Sequence, residues 1–263
     1  MENTSFEILS MALLEEYSEA TSELFLNKYQ QLEESDLTNN NFSFYTSVSA
    51  VFSSKIEGEN IDLDSYVKHK RFGIEYLPDY TQKIDDLYNA YQFAKTQKCT
   101  VVTISKIQEI ISKNILPPSQ QGKLRTGNMF VTTTDGKIEY VAASPISLKM
   151  ELDKFFQDLA VLLNMELSVQ EVFYFASLIH LVFVKIHPFN DGNGRSSRHI
   201  EKCFLVEKLG EKAWLIQSER YYYLNHQTYY KNIRMLGLEY ELLDYSKALP
   251  FLLMLPQSLI LND

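Results

Sequence analysis

A long apolar segment that ends at a histidine–proline pair constrains this chain more than any other feature. Ser168-Val-Gln-Glu171 has the capping-box pattern that opens a helix, because each of the two side chains can satisfy a free backbone amide of the first turn. The segment that follows, Val172 to Ile186, is apolar on nearly every face, as in helices buried at the centre of a domain. Pro188 pushes the residue before it toward an extended conformation. The sequence therefore predicts a buried helix that delivers His187 to a loop.

Most of the remaining chain also has helical spacing of apolar residues, with one exception. Only 9 Gly and 7 Pro occur in 263 residues, which favours helices over a sheet with many tight turns. A second helix group should begin near Thr103 or Ser105, either of which can act as an N-cap. The exception is residues 129–141, where two β-like runs flank Asp135-Gly136 and predict a hairpin. The expected fold class is all-α with a small β-hairpin, which either decorates the surface or covers a binding site.

Charge and hydropathy exclude several classes of partner. The net charge is −9 and no basic stripe is present, so we expect no nucleic-acid partner. The most apolar stretch, residues 172–186, is shorter than the roughly 20 residues of a membrane span and contains His180 and Lys185. The N-terminus lacks the basic start and apolar core of a signal peptide. We therefore expect no membrane association and a cytoplasmic location.

The residues after His187 have the composition of a polyphosphate site. Gly192-Asn193-Gly194 supplies flexible backbone that can direct several amides at one anion, and the helical pattern that follows adds the positive end of a helix dipole. Arg195 and Arg198 are three residues apart and so share one helix face. Two guanidinium groups beside an amide nest suit an extended polyphosphate better than a single carboxylate.

Two further side chains complete a site for chemistry on a nucleotide phosphate. Asp191 lies beside the predicted anion site, where a carboxylate makes sense if Mg²⁺ bridges it to phosphate oxygens. His187 has the only side chain here whose unperturbed pKa suits a general base near neutral pH. Together these groups predict in-line attack of a hydroxyl on a nucleotide phosphate. His180, two helical turns before His187, is interpreted as a core histidine with satisfied hydrogen bonds.

His187 to Arg198 matches His-x-Phe-x-(Asp/Glu)-Gly-Asn-Gly-Arg-x-x-Arg at every defining position and so resembles the Fic domain family. Gly122-Lys-Leu-Arg125 ahead of the hairpin is also similar to that family. The resemblance implies a Fic-type helical core with the hairpin as a flap that aligns the target peptide. It also implies a protein adenylyltransferase, which moves AMP from ATP, with Mg²⁺, onto a Tyr, Thr or Ser hydroxyl of a target protein.

The resemblance assigns roles to individual residues of the loop. His187 would deprotonate the target hydroxyl, Asp191 would bind Mg²⁺, and Phe189 would be the buried residue that fixes the loop. The phosphates would be held by the backbone of Gly192 and Gly194, by Asn193 at the α-phosphate, and by Arg195 and Arg198 at the β- and γ-phosphates.

Two further segments have implied nucleotide contacts. In the flap, Val131, Thr132 and Thr133 would lie near the nucleotide and the target strand. The segment Asn225-His-Gln-Thr-Tyr229-Tyr230 resembles the adenine-side pattern of the family, although His226 replaces the customary arginine. Asn225 and Tyr229 are therefore candidate nucleotide contacts.

Ser53-Ser-Lys-Ile-Glu57-Gly58 resembles the family's inhibitory motif, (Ser/Thr)-x-x-x-Glu-(Gly/Asn). Ser53 and Glu57 are four residues apart and are expected on one face of a helix. The resemblance implies an intramolecular inhibitory helix N-terminal to the core, whose Glu57 pairs with Arg198 in place of the γ-phosphate.

The predicted organisation has three parts: residues 1–94 with the inhibitory motif at 53–58, a Fic core at 95–235, and a helical extension at 236–263. Residues 1–50 and 236–263 carry no motif and are candidates for target recognition or for a homodimer contact. Two alternatives stay open beside AMP transfer. One is removal of AMP, or transfer of another phosphate-containing group, at the same site. The other is a non-catalytic nucleotide-sensing protein, although a sensor does not need His187.

Overall fold

The computed structural model describes residues 6–21, 23–39, 42–132 and 138–260, and it is all-α with one small antiparallel hairpin. The first six helices precede the hairpin and the other seven follow it. The elements are α1 Leu14–Ala20, α2 Glu23–Gln30, α3 Phe44–Ile56, α4 Leu63–Phe72, α5 Pro78–Ala94, α6 Val101–Ile111, β1 Phe130–Thr132, β2 Ile138–Val141, α7 Leu148–Asn164, α8 Val169–Ile186, α9 Asn193–Leu209, α10 Ser218–Leu224, α11 His226–Arg234, α12 Leu249–Leu252 and α13 Met254–Ile260.

Helix α8 is the centre of the fold, as the sequence predicts. Its N-terminus has the complete capping box, with Ser168 and Glu171 each bonded to the other's backbone amide. It is the one helix in the described ranges that is long and apolar enough to cross a membrane, yet 83% of that segment is buried inside the protein. Helices α1, α7, α9, α12 and α13 pack around it.

The N-terminal helices join the same hydrophobic core. Helix α3 packs against α4, α5, α9 and α10, which brings the predicted inhibitory segment next to α9. The buried apolar side chains form one cluster, whose first residue in the chain is Leu9 and whose last is Leu259. This cluster includes residues from all three predicted regions. The boundaries of those regions stay a prediction.

The predicted hairpin is present, although its Asp135-Gly136 turn lies outside the described residues. Val131 is paired with Tyr140 across the two strands. The outer edge of β2 is already occupied, because the Val141 amide donates to the Leu238 carbonyl at 2.7 Å. Strand β1 therefore carries the edge that can accept a further strand.

One predicted helix start is wrong. Helix α6 is capped by Thr100, whose hydroxyl accepts a hydrogen bond from the Thr103 amide, so Thr103 and Ser105 both lie inside the helix. Thr100 has the extended backbone that an N-cap needs.

Candidate active site

His187 lies directly beyond the end of α8, as predicted, but its backbone is not extended. It has φ 53° and ψ 60°, and among the described residues it is the one non-glycine residue with positive φ. The left-handed conformation also avoids the right-handed helical region that Pro188 disfavours. Such a conformation costs free energy, and side-chain contacts must hold it in place.

Hydrogen bonds at Nδ1 orient the His187 ring. Nδ1 lies 3.1 Å from the Val184 carbonyl oxygen and 3.0 Å from the Tyr140 hydroxyl oxygen. A carbonyl can only accept, so Nδ1 carries the proton and Nε2 is the free basic nitrogen. No hydrogen-bond partner of Nε2 occurs among the described residues. Burial lowers the pKa of His187 to about 4, against the opposing effect of the Val184 hydrogen bond, so the imidazole is neutral at pH 7.

Arg125 holds the chain around His187 in place, a role that the sequence reasoning missed. Its Nε donates to the His187 carbonyl at 2.7 Å, and its other nitrogens donate to the carbonyls of Gly127, Ala143 and Ile186. Its own amide donates to the Pro188 carbonyl at 3.0 Å. The sequence does mark this arginine, because Gly122-Lys-Leu-Arg125 resembles the family. Nothing in the sequence, however, shows that the Arg125 guanidinium reaches the loop.

The loop between α8 and α9 is braced by Asn193. Its side-chain amide accepts from the Phe189 amide and donates to the Phe189 carbonyl, both at 2.8 Å. Phe189 itself is buried, as predicted. The Asn193 amide nitrogen keeps a second hydrogen, so the α-phosphate contact of Asn193 stays a prediction, and backbone amides of the first turn of α9 are further donors for a phosphate. These amides have no acceptor within the helix.

Arg195 has the charge and the unpaired donors that suit an anion at the start of α9. Its side chain is buried, yet Nε and Nη1 have no hydrogen-bond partner within the described part of the chain. The nearest carboxylate oxygen, from Asp191, is 3.8 Å from Nη1. A buried guanidinium with unpaired donors is costly unless a ligand satisfies it.

Asp191 fits the predicted role of a magnesium ligand. Its side chain is 52% exposed at the mouth of the loop, so it can reach a bound ion. No group of three or more His, Cys, Asp or Glu side chains that could hold a metal occurs in the described ranges. A single carboxylate with substrate phosphates is nevertheless the usual way in which proteins hold Mg²⁺.

Glu57 contacts Arg198 as the inhibitory-motif resemblance implies. Its Oε1 accepts from Nη2 of Arg198 at 2.7 Å. Arg198 is fully buried, and its Nε and Nη2 also donate to the hydroxyl and carbonyl of Ser53. Ser53 and Glu57 thus share one face, and Glu57 is the residue that caps α3 after its last residue, Ile56. Gly58 then leaves the helix with φ 92°, a backbone conformation that favours glycine.

The Glu57 carboxylate lies against the first turn of α9. A Cβ added at Gly194 would lie 2.5 Å from Glu57 Oε1, so a larger residue there would displace the Glu57 carboxylate from its present position. Burial acts to raise the pKa of Glu57, but the charge of Arg198, and then that of Arg195, outweigh it and lower the pKa below its usual value. The Glu57 carboxylate thus lies beside the positive end of the α9 dipole, where Gly192 is the N-cap.

Tyr229 belongs to a buried polar network behind Arg198. Its hydroxyl lies 3.4 Å from Arg198 Nη1 and 2.9 Å from His180 Nε2. The other nitrogen of His180 contacts Glu201 at 2.7 Å, which confirms the interpretation of His180 as a satisfied core histidine. Asn225 donates to the Tyr221 carbonyl at the junction of α10 and α11.

The remaining candidates lie in the flap. Val131 and Thr132 form part of β1, and no hydrogen bond or ion pair between them and the loop His187–Arg198 occurs among the described residues. Thr133 lies outside the described residues. Their predicted nucleotide contacts, and those of Asn225 and Tyr229, stay predictions.

The family assignment follows from a sequence comparison that includes this loop. Residues 98–205 match the model of the Fic/DOC family. Residues 98–205 are a Fic domain. A protein from Nematostella vectensis named "Protein adenylyltransferase Fic" is 30% identical over 112 residues, which are 42% of this chain and 24% of that protein. The chain therefore spans about a quarter of the length of this curated relative.

Solved Fic structures share the fold over almost the whole chain. A Fic family protein from Desulfovibrio desulfuricans G20 aligns with a TM-score of 0.71 at 18% identity, over 97% of this chain and 73% of that one. A Fic domain containing signaling protein from Bacteroides thetaiotaomicron VPI-5482 gives 0.61 at 17% identity, over 94% and 91%. Residues 134–508 of Fic-1 from C. elegans give 0.62 at 14% identity, over 94% and 68%. The Fic fold thus includes the helices outside the family match.

Proposed function

We propose that this Fic protein transfers AMP from ATP to a hydroxyl side chain of a target protein, and that Glu57 holds it in an inhibited state. The observation that carries the proposal is the occupied anion site. A carboxylate from a distant helix end pairs with Arg198 at 2.7 Å beside the free end of α9. Next to it, Arg195 has buried donors that no group in the described part of the chain satisfies.

The proposed reaction uses His187 as the general base. The hydroxyl oxygen of the target attacks the α-phosphorus of ATP, and its proton passes to Nε2 of His187. The bond from the α-phosphorus to its bridging oxygen breaks, and pyrophosphate leaves. Arg195, Arg198 and the first-turn amides of α9 stabilise the negative charge that develops on the phosphates. Mg²⁺ bound by Asp191 would supply further charge stabilisation at the phosphates.

Neutral His187 suits this role. A base must be unprotonated before it accepts a proton, and burial lowers the pKa of His187 to about 4. Arg125 holds the carbonyl of the same residue, so the ring is presented from a fixed backbone.

The target is proposed to bind the flap as an added strand on β1, because β2 is already bridged by Leu238. In strand addition the hydrogen bonds are made mainly to the backbone of the target, so targets with varied side chains can bind.

A labelled-nucleotide assay on four proteins tests the proposal. The proteins are the wild type, Glu57→Gly, Glu57→Gly with His187→Ala, and Glu59→Ala. Glu59 is a matched control, since it is a nearby glutamate whose ion pair, with Lys83, lies away from the loop. ATP labelled at the α-phosphate should label Glu57→Gly itself or lysate proteins strongly, and the other three weakly or not at all.

Each contrary outcome selects a different function. If ATP labelled at the γ-phosphate left its label on a protein, the reaction would be phosphate transfer. If a previously modified protein lost its AMP, the reaction would be AMP removal. Binding of ATP by Glu57→Gly with no transfer of either label would show a nucleotide sensor and refute the proposed enzyme.

A further inference from the structure

Tyr140 links the flap to the catalytic loop. It lies on β2, its side chain is buried, and its ring meets the His187 ring edge to face with centroids 5.9 Å apart. Its hydroxyl donates to the Val184 carbonyl at 2.9 Å and lies 3.0 Å from His187 Nδ1. Tyr140 is therefore the flap residue that contacts the proposed base.

The Val184 carbonyl oxygen, the Tyr140 hydroxyl oxygen and His187 Nδ1 lie within hydrogen-bond distance of one another. Which atom donates in each pair follows from the carbonyl, which can only accept. Val184 supplies an acceptor, and the Tyr140 hydroxyl uses its proton on that carbonyl. The lone pairs of the tyrosine oxygen then face the proton on His187 Nδ1. The Nδ1 proton has two acceptors, the Val184 carbonyl and the Tyr140 hydroxyl, which restrict the ring in two directions.

The tyrosine ring also contacts Lys185. Nζ of Lys185 lies 4.3 Å from the ring centroid, where the ammonium can interact with the face of the ring, and it donates to the Gly237 carbonyl at 3.3 Å. Lys185 is fully buried. The position of the hydroxyl is thus set by strand β2, by helix α8 and by the chain after α11.

We propose that Tyr140 is a positioning residue for His187: its hydroxyl fixes the ring so that Nε2 points toward the attacking hydroxyl. This inference rests on the proposed function. It connects the flap to the chemistry, because Tyr140 is paired directly with Val131 on the strand whose free edge would bind a target.

Tyr140→Phe is the appropriate variant, since it keeps the ring over which Lys185 lies and removes only the hydroxyl. Tyr174→Phe is a matched control. Tyr174 is another buried tyrosine, and its hydroxyl also donates to a backbone carbonyl, that of Ser10 at 2.7 Å, but it does not contact His187. Both variants are made in the Glu57→Gly protein, so that turnover can be measured.

Two measurements separate positioning from general structural support. Steady-state kinetics with ATP should give a kcat about fivefold lower in Tyr140→Phe, the equivalent of about one hydrogen bond, with KM for ATP within about twofold. The second is a ¹H–¹⁵N spectrum of histidine-labelled protein, in which the His187 signal is identified by its loss in His187→Ala. That signal should shift in Tyr140→Phe and stay in place in Tyr174→Phe.

The outcomes are distinct. An unchanged His187 signal, or an unchanged kcat with a shifted signal, would overturn the positioning role. A lower kcat in both tyrosine variants would also overturn it, because the loss would then reflect general stability. A shifted signal in a protein that transfers no AMP would refute the proposed function while leaving the Tyr140–His187 contact established.

Discussion

Ser53 holds Arg198 through two of its own atoms. The hydroxyl accepts a hydrogen bond from Nε at 2.9 Å, and the backbone carbonyl accepts one from Nη2 at 3.0 Å. Nη2 also donates to Glu57 at 2.7 Å. The same arginine is therefore fixed by two residues, Ser53 and Glu57, of the proposed inhibitory segment 53–58.

Ser53→Ala should weaken inhibition without abolishing it. Loss of one hydrogen bond to Arg198 should raise self-modification about fivefold, less than in Glu57→Gly. Ser54→Ala is the control, because the adjacent Ser54 hydroxyl is buried and has no hydrogen-bond partner in the described residues. Transfer of labelled AMP measures the effect. Equal activity in the two alanine variants would rule out a role for the Ser53 hydroxyl in inhibition.

Arg195→Met should weaken ATP binding and yet not destabilise the protein. The buried Nε and Nη1 have no partner in the described residues, so their removal relieves a cost of about 1–3 kcal/mol. In the Glu57→Gly protein, where the Glu57 charge is absent, the variant loses only the distant Asp191 contact. Arg198→Met should instead destabilise the protein, because it breaks satisfied bonds to Ser53 and Glu57.

Urea unfolding and ATP titration by calorimetry distinguish the two arginines. For Arg195→Met, both measurements are made in the Glu57→Gly protein. Similar losses of stability in the two methionine variants would contradict the assignment of Arg195 as a ligand-directed group.

Arg125→Lys should lower both stability and turnover. A lysine cannot reproduce the donors that reach the carbonyls of His187, Gly127 and Ile186, so buried carbonyls lose their partners. We expect a loss of about 2–4 kcal/mol in the free energy of unfolding. Lys123→Ala, at an exposed position nearby, should have little effect. Urea unfolding and kcat in the Glu57→Gly protein provide the measurements, and an Arg125→Lys protein of native stability would disprove the bracing role.

The free energy of unfolding should decrease as pH falls from about 6.5. Burial lowers the pKa of His187 to about 4 and that of His199, which stacks on Tyr91, to about 3. Below pH 6.5 the unfolded chain therefore binds protons that the folded protein does not, at about 1.4 kcal/mol per pH unit for each histidine. This loss should continue until the pH reaches the folded pKa values.

Urea unfolding between about pH 5.5 and pH 7.5 measures this slope with little contribution from carboxylates, whose ordinary pKa values are about 4. His187→Ala should reduce the slope by the share of one histidine. An identical slope in the variant would mean that His187 is charged in the folded protein.

The sequence by itself determined the loop of the candidate active site and most of the helices. Residues from His187 to Arg198 are consecutive, so their mutual geometry depends on the end of one helix and the start of the next, and both ends are marked by local residues. The capping box at Ser168 and the apolar run to Ile186 likewise act over a few turns. The spacing of apolar residues in helices and in the hairpin is a local signal as well, although the start of α6 was predicted at Thr103 or Ser105 and lies at Thr100.

The tertiary structure decided which distant groups meet that loop. Glu57 and Arg198 are 141 residues apart, and Arg125 reaches His187 across 62. Tyr140 reaches it from the hairpin. The tertiary structure also decided the left-handed backbone of His187 and the hydrogen bonds between the Asn193 side chain and Phe189. These contacts depend on how helices and the hairpin pack, and packing is set by the whole core rather than by the spacing of residues along one element.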